Sequence, residues 1–579
     1  MTAVLAPDEA PVRVVEGGEP APARGARVKA WFRLHRTSLV VLSRVLLAVG
    51  AATAWNLQGW PGRVDDDEGT YVAEAWAMIY EHHLSHYTYW YDHPPLGWAQ
   101  LAAYIWLTDG IRRYPSAVMV GREFMLLLTL VSCVLLYVLC RRLAFRRTTA
   151  AVTVLLFGLS PLAIYYHRMV SLDNIGMVWL LAALVVATSR RGNLGAAFWS
   201  AVCMAAAVLS KETLALLLPV VLAMMWQRTQ RRTRKWHMGV FTATFVMLLA
   251  FYPLFAALRD ELIPGSGHVS LTWAVWWQLF ERTGTGSLLN GGSATHGLWV
   301  LWIGLDPWLL WAGVLLMPAG LLVRRLRPFA LGMLIQIVVM IPGGYVPYFA
   351  VTAMLPFAAL LAGGLADTWW TPAVWWRPGP AWNWTAARLR RTDLPSRLAW
   401  ARRNARYYRV GWFCRNAWVY AVDWLRGNAW LHANAWRLRY AGRIPVLAAA
   451  VVAAALVAPQ WGTALVNQSK VNGDAGALAA TAWVEQHVPR RDVVVVDDYM
   501  WLDLKLAGMN PVWSQKTDTD PQTAQTLLRH GWRSIQYVVL SGQVSSALGT
   551  LPTLQAAVAH SVLVKSFADG VTVRQVIDS

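Results

Sequence analysis

Chemistry on this chain would start at Asp65-Asp66-Asp67-Glu68, a run of carboxylates that leads into Gly69-Thr70-Tyr71 just after the first long apolar stretch. Such a run is costly inside lipid, so it must stand where the chain has emerged into water at a membrane surface. A carboxylate placed there can take the proton of an attacking hydroxyl, and a second acid can position the first or help hold a cation. Taken alone, an acidic run more often ends a span and caps the next helix. Two further features argue for chemistry. His93-Pro94-Pro95-Leu96-Gly97-Trp98 follows on the same segment, where a fixed Pro-Pro turn can present His93 toward the acids. Arg168-Met169-Val170-Ser171-Leu172-Asp173 then puts a cation and another acid in the next short loop. Lys211-Glu212, between two later spans, reads equally as a phosphate contact or as an ion pair ending two helices. Asp497-Asp498 follows an apolar strand, and a strand-end turn explains it more simply than acceptor binding does.

The elements that must position these residues are mostly membrane helices. Hydrophobic residues make up 56% of the chain and charged ones only 15%, with apolar runs of spanning length recurring up to residue 465, which nearly excludes a soluble globular protein. The formal charge of +20 would suit nucleic acid, but the basic clusters fall at alternate ends of the apolar runs. They lie at Arg24 to Arg36, Arg141 to Arg147, Arg190-Arg191, Arg228 to Lys235, Arg324 to Arg327 and Arg377 to Arg443. By the positive-inside rule these are cytoplasmic faces, and nucleic acid is not an expected partner. The pattern predicts about eleven crossings, near 39–58, 117–140, 148–164, 174–189, 194–210, 213–227, 237–257, 308–323, 329–343, 347–365 and 444–462, from a cytoplasmic amino terminus. Residues 59–116, 165–173, 258–307 and 463–579 then lie outside.

Residues 1–38 read as a basic tail without a cleavable signal peptide. Cys133, Cys140 and Cys203 fall in spans and Cys414 in a cytoplasmic segment, so no external disulfide and no zinc-type spacing are expected. Apolar residues at helical spacing predict an amphipathic helix over 70–82, lying along the outer membrane surface with Asp67 and Glu68 at its amino end. The long glycine-rich loop 258–307 reads as a mobile cover on the acid-bearing side. The stretch 366–443 is rich in Arg and Trp, with Trp412, Trp418, Trp424, Trp430 and Trp436 evenly spaced, and suits the headgroup region of the inner leaflet. Strand-like runs at Val493 to Val496, Tyr537 to Leu540 and Val571 to Ile577, with a helix from Asp520 to His530, predict a small external α/β domain within 463–579.

The order of span, Asp67-Glu68-Gly69-Thr70-Tyr71, His93-Pro94-Pro95-Leu96, then Arg168 and Asp173 before the fourth span resembles the membrane-integral GT-C glycosyltransferases. The nearest branch is the one containing protein O-mannosyltransferases and the aminoarabinose transferases that modify lipid A. Tyr345 to Leu361 also resembles a late span of that family, so the likeness in topology covers the module 39–365, while the insert 366–443 has no counterpart in it. The resemblance implies an α-helical polytopic membrane protein of GT-C type carrying the C-terminal α/β domain. It implies an inverting enzyme of cell-envelope biogenesis, taking sugar from a polyprenyl-phosphate donor in the bilayer to a glycan, lipid or protein hydroxyl. Asp67 would be the base, with Glu68 and Asp173 in support, and Tyr71 and Tyr345 would touch substrate. The lipid A enzymes tend to carry Lys before the Pro-Pro pair, where this chain has His93, so the donor phosphate would fall to His93, Arg168 and Lys211. A divalent cation, Mg or Mn, would sit on Asp67, Glu68 and Asp173 if one is used. The rival reading is a lipid or glycolipid flippase, against which the acids gather at one surface instead of at the midplane.

Overall fold

The computed structural model describes residues 24–63, 67–189, 193–265, 268–370 and 443–577. Asp65 and Asp66, the chain ahead of Arg24, Arg190-Arg191 and nearly all of the 366–443 insert, including its tryptophan series and Cys414, lie outside these residues. The helices that matter are α1 (Arg24–Ala54), α2 (Asp67–Tyr80), α3 (Leu96–Thr108), α4 (Val118–Arg142), α5 (Arg147–Leu159), α6 (Pro161–Arg168), α7 (Leu172–Ala187) and α8 (Leu194–Ser210). They are followed by α9 (Leu218–Arg228), α10 (Arg234–Leu249), α11 (Phe251–Leu258), α12 (Leu271–Trp276), α13 (Ala294–Leu305), α14 (Pro307–Leu322), α15 (Arg327–Val339), α16 (Leu355–Trp370) and α17 (Arg443–Gln468).

Among the described residues, five helices are long and apolar enough to cross a membrane: Phe32–Ala54, Val118–Arg142, Arg234–Leu258, Tyr348–Trp370 and Leu447–Gln468. Two further apolar helix pairs are bent at a break, α5 with α6 at 61° and α13 with α14 at 111°, and α7, α8 and α15 are shorter apolar helices. Both bends sit at a polar residue before proline, where the proline disfavours helical backbone in its predecessor and opens the next helix at its first position. Ser160 accepts the Ala163 N–H at 3.3 Å, and Asp306 accepts the Trp308 N–H at 2.9 Å. A helix therefore lies under every apolar run read as a span, within a multi-pass helical architecture. The last one runs to Gln468, beyond the expected end at 462, and α13 makes part of the loop 258–307 apolar and helical.

The C-terminal unit opens with α18 (Ala475–His487) and forms a five-stranded sheet from β1 (Val493–Val496), β2 (Asn510–Trp513), β3 (Tyr537–Leu540), β4 (Ser561–Ser566) and β5 (Thr572–Val576), in the order β2-β1-β3-β5-β4. β1 is parallel to β2 and β3, while β5 is antiparallel to β3 and β4. All four valines of β1 are buried, as a central strand covered on both faces requires. Strands β2 and β4 lie outside the expected set: Asn510-Pro511 opens β2 with poor strand formers, and the short apolar run Val562-Leu563-Val564 of β4 stands exposed at the edge of the sheet. The helix expected over Asp520 to His530 shrinks to Pro521–Thr526.

The expected surface helix is instead a core element. Glu68 through Ala77 are all buried, because α2 lies between the membrane helices and α19 (Asp498–Leu506), with Trp76 and Trp501 meeting edge to face at 6.0 Å between ring centroids. Tyr71, Val72, Trp98, Val120, Val494, Trp501 and Val573 share one hydrophobic cluster, so the C-terminal sheet and the segment between α1 and α4 have a common core.

A fully buried guanidinium ties the same region together. Arg122 on α4 donates from Nε to Glu68 Oε1 at 3.0 Å and from Nη2 to Glu68 Oε2 at 2.7 Å. Its Nη1 reaches the Gln58 carbonyl at 2.7 Å and Asp474 Oδ2 at 3.3 Å. Substituting leucine for Arg122 strands two buried carboxylates, and the expected loss is about 3–5 kcal/mol of stability. Thermal unfolding in detergent micelles would show it as a lowered apparent Tm, and an unshifted Tm would contradict the role given to this contact.

Candidate active site

A cavity of about 400 Å³ opens among the turns at the helix ends, and it gathers side chains that the sequence holds far apart. Its polar wall carries Asp67, Asp92, His93, Asp173, Lys211, Glu212, Gln278 and Arg282. Its apolar wall is Leu214, Leu216, Leu279, Val339, Met340, Val346 and Phe349, with Tyr345 at the margin. Asp67 opens α2 and Asp173 stands in the first turn of α7, capped by the Ser171 hydroxyl, which accepts the Asp173 N–H at 3.1 Å. Lys211 ends α8, where the chain turns extended before the short helix Glu212–Leu217.

Of the residues expected at a site, Asp67, His93, Asp173, Lys211 and Tyr345 line this one cavity. Tyr71, one helical turn beyond Asp67, donates its hydroxyl to Asp67. Burial, and then the charges of Asp67, Asp92 and Asp173, hold the Tyr71 phenol well above its ordinary pKa, so it stays a donor. Two expectations are corrected. Glu68 faces away from the cavity, its oxygens held by Arg122 and by the Val170 N–H at 2.8 Å. Arg168 caps the carboxyl end of α1, giving Nη2 to the Ala52 carbonyl at 2.7 Å and Nη1 to the Trp60 carbonyl at 3.1 Å. Neither is placed to touch a donor.

Asp92, Glu212, Gln278 and Arg282 complete the polar wall. Asp92 was legible only as the neighbour of His93, and Glu212 only as the partner of Lys211. Arg282 carried no signal beyond being a cation in the loop on the acid-bearing side. Gln278, Leu279 and Arg282 bring the loop 258–307 to the cavity wall, and the loop is stitched to the segment before Tyr345 by backbone bonds, Thr285 N–H to the Gly344 carbonyl at 3.2 Å and Leu288 N–H to the Met340 carbonyl at 2.8 Å. Gln278 donates to Asp92 Oδ1 at 2.8 Å and accepts from Arg282 at 2.6 Å, and the Arg282 guanidinium lies 3.4 Å from the centroid of the Tyr345 ring.

At the centre, His93 Nδ1 lies 3.0 Å from Glu212 Oε2 and His93 Nε2 lies 2.9 Å from Lys211 Nζ. Lys211 Nζ is 3.9 Å from Asp173 Oδ2. The network assigns the neutral tautomer, with Nδ1–H donated to Glu212 and Nε2 accepting from Lys211. Burial works against the Lys211 charge, but Glu212, Asp173, Asp67 and Asp92 outweigh it and raise its pKa above the ordinary lysine value. Glu212 is pushed up by burial and then pulled down to about 2 by His93 and Lys211. Burial also disfavours the His93 imidazolium, yet Asp92 and Glu212 prevail over it and over Lys211, so His93 titrates above its ordinary value. A protonated Nε2 gives up Lys211 and faces Asp92 Oδ2, 3.4 Å away.

The carboxylates offered for a divalent cation do not fit one. Glu68 is saturated by Arg122, Asp173 is beside an ammonium group, and among the described residues no three His, Cys, Asp or Glu side chains gather around one point as metal ligands.

Residues 92–256 match the family model described as dolichyl-phosphate-mannose-protein mannosyltransferase. In fold the chain is similar to ArnT from Cupriavidus metallidurans, at 16% identity. Against the crystal structure bound to undecaprenyl phosphate the TM-score is 0.56, covering 93% of this chain and 98% of that one. Against the apo state it is 0.54, covering 95% and 98%. The oligosaccharyltransferase AglB from Archaeoglobus fulgidus, in complex with an inhibitory peptide and a dolichol-phosphate, aligns at 13% identity and a TM-score of 0.47 over 88% of this chain and 70% of that one. No curated protein matches the chain. The GT-C resemblance is thus borne out, as fold along nearly the whole chain and as sequence over residues 92–256.

The His93 contacts make a titration prediction. In histidine-selective NMR, His93 should titrate above the ordinary 6.5. In Glu212→Gln the imidazolium loses a stabilising carboxylate, so the midpoint should move down; an unmoved or raised midpoint would contradict the contact.

Proposed function

We propose that this chain is an inverting glycosyltransferase that moves a sugar from a polyprenyl-phosphate donor to a hydroxyl of a cell-envelope acceptor at the extracytoplasmic face. The observation that carries the reading is the cavity itself, in which Asp67 and Asp173 stand beside Lys211 and Arg282 and an apolar wall continues from them. An isoprenoid chain gains about 0.8 kcal/mol per buried methylene, so such a donor stays with the bilayer and its phosphate is offered at the surface. The crystallised ArnT of this fold holds undecaprenyl phosphate, a lipid of that class.

In the proposed step Asp67 accepts the acceptor hydroxyl proton, and the oxygen attacks the anomeric carbon opposite the phosphate. The new glycosidic bond forms as the carbon to phosphate-oxygen bond breaks, and the configuration inverts. Tyr71 orients Asp67 through its hydrogen bond, while Asp173 and Glu212 hold Lys211. The leaving phosphate takes up its charge against Lys211 and Arg282, with His93 adding a cation when protonated. Preorganised charge in a poorly hydrated cleft needs little rearrangement at that moment. The donor set gives no step to a divalent cation.

The convergence also supports the finer topology. Turns at 67, 92–93, 173, 211–212, 278–282 and 345–349 meet in one cavity, so they share a side of the membrane. Set against the basic clusters, read as the other side, this supports an extracytoplasmic site, a cytoplasmic amino terminus and about eleven crossings.

Two experiments test the reading. Purified protein in nanodiscs is given radiolabelled sugars linked to undecaprenyl phosphate together with envelope extract as acceptor. Asp67→Asn should lower transfer by roughly 10²- to 10⁴-fold. Movement of label across the bilayer without a new glycosidic bond would favour a flippase and sink the proposal. Second, transfer should persist in excess EDTA; loss that Mg²⁺ or Mn²⁺ restores would overturn the metal-independent step.

A further inference from the structure

The amino end of α2 is capped from the far end of the chain. Backbone N–H groups in the first turn of a helix have no partner within it and need an acceptor from elsewhere. Here Asp498 Oδ2, at a sequence separation of 429, accepts the Gly69 N–H at 2.7 Å, and it accepts the Thr70 N–H at 3.1 Å. The approach is so close that a Cβ on Gly69 would stand 2.3 Å from the Asp498 carbonyl oxygen. The neighbouring Asp497 does a parallel job, capping its own helix α19 through the Met500 N–H at 3.1 Å while it pairs with Arg63 just ahead of α2.

The rest of the first external loop rests on the same unit. Tyr87 accepts the Trp513 N–H at 2.8 Å, the Thr88 N–H reaches Asp520 Oδ1 at 3.1 Å, and Lys516 Nζ lies 3.2 Å from the centroid of the Trp90 ring. These contacts seat the segment that ends in Asp92 and His93. The cations Lys211 and Arg282 stand on other elements, the turn after α8 and the cover loop.

We infer that Asp498 is a positioning residue for Asp67, so that the C-terminal unit completes the active site by fixing the helix that carries the base. The inference rests on the reading of Asp67 as base. A displacement of about 1 Å at a reacting group can cost as much as 100-fold in rate, and a cap that slips would move Asp67 while leaving the donor-phosphate side in place.

The test uses the full-length protein in nanodiscs, with undecaprenyl phosphate as the binding probe and its labelled sugar conjugates as the transfer probe. Asp498→Ala should lower kcat by roughly tenfold, leave undecaprenyl phosphate affinity within about twofold of wild type, and raise hydrogen–deuterium exchange in the peptide beginning at Asp67. Asp498→Asn keeps an acceptor oxygen and should restore most of the kcat. Gly69→Ala should reproduce the alanine signature from the other side of the contact. A folded Asp498→Ala protein with wild-type kcat and exchange overturns the inference, and so does a parallel loss of lipid binding and rate, which would mark Asp498 as merely structural. If the wild type transfers no sugar, the functional reading fails, and unchanged exchange in Asp498→Ala then sinks the positioning role separately.

Discussion

The site depends on one buried cation. Arg122 uses Nε, Nη1 and Nη2 at once, on Glu68, on the Leu57 and Gln58 carbonyls and on Asp474, at 2.7–3.3 Å. A charge taken out of water is tolerable only when its donors are satisfied in good geometry, and here three chain segments must be in register for that to hold. The geometry also explains why an Asp-Glu pair divides its labour. Successive residues on a helix point about 100° apart, so fixing Glu68 toward Arg122 turns Asp67 away from it, into the cavity. Glu68 is thus the anchor that aims Asp67 into the cavity.

Much of the fold was legible because membrane helices announce themselves by apolar length and by the arginines clustered at alternate ends of the apolar runs. What misled was treating the first external loop as a surface feature. Val72, Ala75-Trp76 and Ile79 have helical spacing, but spacing cannot say that a helix more than 400 residues later, α19, covers the other face; Glu68 to Ala77 are buried throughout. The site divided the same way. Asp67, Asp173 and Lys211 stand out as polar residues near span ends, and His93 through the Pro-Pro pair that follows it. Arg122 and Arg282 do not, since one reads as a helix-start arginine and the other as a loop arginine. Arg168 was misread for a related reason: an arginine at the membrane surface can face a phosphate or the bare carbonyls at a helix end, and only the partner decides. Its partners are Ala52 and Trp60.

The pairings that matter join residues 54, 352 and 429 positions apart. No local pattern encodes such contacts. They are specified by the close approaches that small residues permit, as at Gly69 beneath Asp498 and at Gly62, whose positive φ of 55° lets it touch Gly473. Such positions look like ordinary loop glycines until the facing backbone is known.

The two cations of the cavity are not equivalent, and the difference bears on which one recruits an anion. Lys211 is countered before any ligand arrives: Asp173 is 3.9 Å from its ammonium group, and Glu212, Asp67 and Asp92 act on it as well. An incoming phosphate there meets as much negative charge as positive. Arg282 is held differently, by the neutral amide oxygen of Gln278 and by the face of Tyr345. An amide and a ring restrain a guanidinium through partial charges without cancelling its unit charge. Its field is therefore still available to a phosphate, and its planar donors suit one. Gln278 is at the same time bonded to Asp92, which lies beside His93. Through Gln278 the loop thus links the Arg282 guanidinium to the acid-bearing wall; in the proposed reaction Arg282 would meet the donor phosphate first, and Lys211 would stabilise the charge that develops as the phosphate leaves.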